Sequence, residues 1–123
     1  MGNVYSKEFV KFILEKMQEC VAVGDFVILP RDINTDFISE YAITKEKQKE
    51  ILLGITAEDY CESDPSERVT DRIENPFDST KTIRMYVKFE IVEKQYGSRT
   101  VFISFHEASY PLQFPFRTQV EFS

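Results

Sequence analysis

Residues 101–108 read VFISFHEA and contain the only histidine of the chain, His106. Histidine is the side chain whose charge changes near neutral pH, and here it ends a segment with alternating character. Upstream, IRMYVKFEI (83–91) alternates in the same way, and its even-numbered positions include Arg84, Tyr86 and Lys88. If the two segments pair across a hairpin, the even positions of both project from one face. Ser104 and His106 then share a surface with Arg84, Tyr86 and Lys88. Metal-free cleavage of RNA needs such a surface. The 2′-hydroxyl must lose a proton, the 5′-oxygen must gain one, and the pentavalent phosphorane needs cationic stabilisation. His106 can act as general acid or base. Lys88 and Arg84 can hold phosphate, Arg84 bidentately, and Tyr86 can donate a proton or stack on a base. The catalytic candidates are thus His106, Tyr86 and Lys88, with Arg84, Ser104 and Arg117 as substrate-binding candidates. Tyr, Lys and Arg are individually ordinary on a solvated strand, so the argument rests on their common face. A Cys61 nucleophile is disfavoured, because the acidic residues around it would raise a thiol pKa.

These residues depend on the elements that carry them. Ser6 is placed as an N-cap, with Tyr5 and Val10 as a hydrophobic staple. Phe9, Phe12, Ile13, Met17 and Cys20/Val21 predict a helix over about 7–22, ended by Gly24. FVIL (26–29) reads as a brief strand stopped by Pro30. Asp32 or Asn34 can cap a second helix bearing Phe37, Ile38 and Tyr41. Thr44 caps a third, KEKQKEILL, which Gly54 is expected to close in the left-handed conformation. Thr56 and Asp59 have capping-box spacing. Residues 62–80 hold two prolines and read as an acidic loop with one edge segment near Val69–Ile73. From residue 81 the period becomes two, with Ile83, Met85, Val87, Phe89 and Ile91 facing inward and QYGS (95–98) turning the chain. On the return, Val101, Ile103 and Phe105 are expected inward and Thr100, Phe102, Ser104 and His106 outward. A third run over 114–122 carries Arg117, with Pro111 and Pro115 suggesting an edge. Helices followed by an antiparallel sheet make an α+β fold.

Composition sets the frame. The 123 residues, with 42% hydrophobic side chains, suffice for one domain (1–123) with its own core. No apolar run approaches membrane-spanning length, and the first residues lack the order of a signal peptide, so a cytoplasmic location away from membranes is expected. Two cysteines far apart and a single histidine exclude a structural zinc site by spacing, and neither metal nor cofactor is expected. The net charge of −6 is uneven. Residues 58–78 hold eight acidic and two basic side chains, whereas residues 79–123 are mildly basic. Local fields therefore matter more than the total.

Several segments together resemble a known family. GITAEDY (54–60), Tyr86-Val87-Lys88 and Ile103-Ser104-Phe105-His106 resemble, in order, motifs of the MqsR-like toxins of bacterial toxin–antitoxin systems. PRDINTDFISEYAITKEKQKEILL (30–53) fits the two small helices of that family, and YPLQFPFR (110–117) resembles the ending of its longer members. The resemblance covers about residues 26–117. It implies a RelE-like fold, a metal-independent endoribonuclease that cuts mRNA, and a cognate antitoxin as partner. The family's catalytic tyrosine falls on Tyr86, its basic or histidine group on His106 and its strand lysine on Lys88. The chain departs from the family at Glu62, near a lysine position, and residues 63–80 offer no clear counterpart of a loop glutamine. The alternative expectation is a non-catalytic module on the same fold, which docks a basic protein through the acidic 58–78 stretch.

Overall fold

The computed structural model describes residues 6–60 and 66–108. In chain order these form α1 (Lys7–Ala22), β1 (Phe26–Ile28), α2 (Asp32–Glu40), α3 (Lys45–Leu53), a 3-10 turn (Ala57–Asp59), β2 (Glu67–Asn75), β3 (Asp78–Lys94) and β4 (Gly97–Glu107). The strands make one sheet in the order β1-β4-β3-β2. The fold is α+β, with the helices towards the N-terminus. The sheet is antiparallel except at β1, which runs parallel to β4. Tyr5, Cys61, Glu62 and the 114–122 run with Arg117 lie outside the described residues.

Local signals start and stop the helices. Ser6 Oγ accepts from the Phe9 amide at 3.2 Å and caps α1. Its inward stripe is Val10, Leu14, Met17 and Val21, while Phe9 and Phe12 point outward. That corrects the expected stripe: the phenylalanines belong to the adjacent face, where Lys16 Nζ lies 5.6 Å from the Phe12 ring centroid. At the C-terminus Gly24 adopts φ +79°, so its amide reaches Val21 O and the Asp25 amide reaches Cys20 O, a Schellman end. Thr44 Oγ1 accepts from the Lys47 amide at 3.1 Å to start α3. Gly54 closes α3, but in right-handed rather than left-handed geometry. Gln18 of α1 removes the need for a left-handed turn, because its Nε2 lies 2.9–3.2 Å from the carbonyls of Leu52, Leu53 and Ile55. The Thr56 amide donates to Asp59 Oδ2 at 2.9 Å, which satisfies the buried Asp59 carboxylate as the spacing predicts.

The edge segment expected near Val69–Ile73 is the edge strand β2, longer than expected at both ends, so less of the acidic stretch is loop. Residues 67–75 pair with β3, and Pro76-Phe77 turns the chain while Asn75 Oδ1 accepts from the Phe77 amide at 2.8 Å. The proline that reads as a breaker sits in the hairpin turn, where no ladder bond is required of it.

β4 holds the correction that matters most for the site. Phe102 and Phe105 are both fully buried, with Thr100, whereas Val101 and Ile103 are only half-buried. A regular strand puts residues three apart on opposite faces. The register shifts between Lys88↔Ser104 and Phe89↔Phe102, leaving Ile103 as the extra residue of a β-bulge. The bulge inverts the expected orientation of residues 100–103 and preserves that of Ser104, Phe105 and His106. Each buried phenylalanine contributes roughly 1.5–3 kcal/mol, against about 1 kcal/mol for a disturbed ladder bond. The freed Ile103 carbonyl is not lost either, since Arg31 Nη1 and Asn34 Nδ2 donate to it at 2.9 and 3.0 Å.

Asn34 is the pin of this region. It was a candidate helix cap, but α2 begins after Arg31, and Asn34 lies inside the helix with no exposure. Its Oδ1 accepts from the Phe105 amide at 3.0 Å, and its Nδ2 donates to the carbonyls of Leu29 and Ile103. The carboxamide thus continues the ladder along β4 where β1 stops. On the helical face of the sheet, Met17, Val21, Phe37, Ile51 and Leu52 close over Ile83, Met85, Val87, Phe89, Phe102 and Phe105 in one core.

Candidate functional site

The opposite face of the sheet carries the candidate residues. Two register rows cross three strands: Glu67, Lys88 and Ser104 form one, and Val69, Tyr86 and His106 the other. Directly opposed antiparallel residues project to the same side, so the structure brings Tyr86, Lys88, Ser104 and His106 together as the alternation predicts. Arg84 lies one step further along the same face of β3 and is exposed, and its carbonyl accepts from the Ala108 amide at 2.8 Å.

The Tyr86 and His106 rings are cross-strand neighbours, with centroids 5.7 Å apart and planes tilted by 45°. Imidazole Nδ1 is 2.9 Å from the Glu107 carbonyl oxygen. A carbonyl only accepts, so Nδ1 carries the proton of the neutral ring and Nε2 holds the lone pair. That tautomer is the one a proton-transfer group needs. Tyr86, Lys88 and His106 are half-buried, and Val69 is buried beside them. The charged tips therefore stand on a partly desolvated base, where their interactions are less screened than on open surface.

Two residues at this face were not singled out from the sequence. Glu67 Oε2 accepts a hydrogen bond from the Tyr86 hydroxyl at 2.8 Å, and Glu67 is also the cross-strand partner of Lys88. It lies within the stretch read as a loop, whose only signal for a strand is the short alternation of Glu67 and Val69 with Arg68 and Thr70. Arg31, at the head of α2, sends Nη1 to the Ile103 carbonyl and to within 3.5 Å of Ser104 Oγ. A cation thereby flanks the row that holds Lys88. The bulge creates this contact, and a bulge has no signature in the local sequence. Glu67, Arg31, Lys88 and Arg84 bring both signs of charge to this region, and Glu90 and Glu74 lie further along the same face.

Among the described residues no cluster of His, Cys, Asp and Glu could hold a metal ion. Cys20 is buried, with Sγ 3.4 Å from the Ser98 carbonyl. Elsewhere among the described residues three groups are perturbed, including Asp78, whose carboxyl the Thr80 hydroxyl and then its amide hold below the usual aspartate value. Hydrogen bonds from Lys94 and then Arg99 hold the Asp25 carboxyl below the usual aspartate value. Burial, followed by the charges of Glu107 and Glu40, pushes the Tyr41 phenol up. No helix among the described residues is long and apolar enough to cross a membrane. Comparison with protein families, curated proteins and solved structures finds no match to this chain.

Proposed function

We propose that the protein is a metal-independent endoribonuclease, the RNA-cleaving toxin of a toxin–antitoxin pair. The observation that carries this reading is the meeting of the Tyr86 and His106 rings on a face that also bears Lys88, Arg84 and Arg31. In the reaction the 2′-oxygen attacks the adjacent phosphorus and the 5′-oxygen leaves, giving a 2′,3′-cyclic phosphate and a 5′-hydroxyl. His106 exchanges a proton through Nε2 with one of the reacting oxygens. Lys88 and Arg84 bind the phosphate and stabilise the charge on the phosphorane, with Ser104 beside them. Tyr86 donates its hydroxyl hydrogen bond or stacks on a base. A cognate antitoxin and a cytoplasmic RNA substrate belong to the same reading.

The alternative module relies on an acidic 58–78 surface. Several of its carboxylates are already engaged within the fold. Asp59 is buried against the Thr56 amide, Glu67 accepts from Tyr86, and Asp78 accepts from the amide and hydroxyl of Thr80. The enzyme reading is favoured for that reason. Induction in a bacterial host tests it: the wild type arrests growth, and His106→Ala and Tyr86→Phe each relieve the arrest at equal protein levels. Wild-type protein that accumulates with neither growth arrest nor loss of bulk RNA contradicts the proposal.

A further inference from the structure

In-line transesterification of RNA moves two protons on opposite sides of phosphorus, one from the 2′-oxygen and one to the 5′-oxygen, and one imidazole does not reach both at once. The most direct candidate for the second group is the carboxylate bonded to the Tyr86 hydroxyl, since the Tyr86 ring stands against the histidine. We propose that Glu67 is the general base of this site and His106 its general acid; this inference rests on the ribonuclease reading above.

Glu67 has what the role requires. Its backbone is held in β2 by pairing with Lys88, its side chain is half-buried, and the Tyr86 hydroxyl orients one carboxylate oxygen from 2.8 Å. A carboxylate accepts at both oxygens, so the bond from Tyr86 leaves capacity for a ribose hydroxyl. Tyr86 donates to it and Lys88 is its cross-strand partner on β3; further off lie Ser104 and His106 on β4, Arg31 beyond Ser104, and Arg84 further along β3. The Tyr86 hydroxyl donates in this contact, so the carboxylate oxygen it meets is an acceptor and needs no proton. That is the state a base must hold before it acts.

The step balances. Glu67 takes the proton of the 2′-hydroxyl as that oxygen bonds to phosphorus. The bond from phosphorus to the 5′-oxygen breaks, and the leaving oxygen receives the proton of His106 Nε2. The enzyme ends with a protonated Glu67 and a neutral His106, and the proton on Glu67 returns to the imidazole through solvent before the next cycle. Tyr86 then acts as a positioning residue that orients Glu67, and Lys88, Arg84 and Arg31 remain with the phosphate.

The test is the pH profile of kcat/KM for a defined oligoribonucleotide between about pH 4 and 9. The wild type gives a bell, with the acid limb set by Glu67 and the alkaline limb by His106. Glu67→Gln, which keeps the shape and an acceptor for Tyr86, lowers kcat by about 100-fold and abolishes the acid limb. Tyr86→Phe keeps the carboxylate but removes the bond that orients it, so kcat falls by about 10-fold while the acid limb survives. An unchanged acid limb in Glu67→Gln, or its disappearance in Tyr86→Phe, overturns the assignment while leaving the ribonuclease reading intact. Wild-type protein without activity towards RNA removes both.

Discussion

His106 draws its chemical character from its contacts rather than from its type. The bond to the Glu107 carbonyl fixes the tautomer, the Tyr86 ring stands against it, and a half-buried position limits its hydration. Tyr86 in turn is held by Glu67, so the catalytic proposal concerns a chain of three side chains on three strands. A second residue-scale device lies at the other end of the sheet. Asp25, just beyond α1, bonds to Lys94 and Arg99 on either side of the β3–β4 turn. Its carboxyl is held below the usual value, chiefly by the hydrogen bond from Lys94. The stabilisation is therefore full above the unfolded aspartate value, near about 3.9, and is lost as pH falls through the lower folded value. Asp25→Asn is expected to lower the midpoint of thermal unfolding at neutral pH, with the difference from wild type shrinking at the acid end. A constant difference across the titration contradicts this account.

At the scale of elements, the site exists because β4 bulges and α2 docks on the bulge. Phe102 and Phe105 demand the same face, Ile103 absorbs the extra residue, and Asn34 satisfies the backbone groups that the end of β1 leaves open. Asn34→Ala strands the Phe105 amide in the interior and costs about 2–4 kcal/mol of unfolding free energy. Denaturant titration checks this, and a loss below about 0.5 kcal/mol would show that the carboxamide is not needed there. Much of this framework was legible in the sequence. Ser6, Thr44 and Gly24 carry their capping chemistry locally, and the alternation of Ile83, Met85, Val87 and Phe89 marks the core face of β3 without tertiary help. The bulge was not legible, because it follows from Phe102 packing against Phe26 and Phe89, which are remote in the chain. Asn34 reads as a cap, since a carboxamide serving as a strand edge depends on what docks beside it. Only the Val69–Ile73 part of β2 reads as an edge segment, because charged residues and Pro76 conceal the ends of a strand that gains its pairing from β3. Glu67 was missed with the first of those ends.

At the scale of the molecule, one face of the sheet closes on the helices and the other presents polar chemistry. The net charge of −6 is unevenly spread over that second face, where Lys88 and Arg84 lie among Glu67, Glu74 and Glu90. Few phosphate contacts on an acidic protein mean weak general affinity for RNA and activity that falls with added salt. Specificity then rests on bases and ribose hydroxyls at the cleavage step more than on backbone attraction. The central claim is that His106 and its neighbours cut RNA without a metal. Its most direct test is incubation of purified wild type and His106→Ala, prepared identically, with a short RNA in the presence of a chelator. The account predicts wild-type products ending in a 2′,3′-cyclic phosphate, no cleavage where the attacking sugar is 2′-deoxy, and a rate at least about 100-fold lower for His106→Ala. Equal cleavage by the two proteins, or none by the wild type, would contradict it.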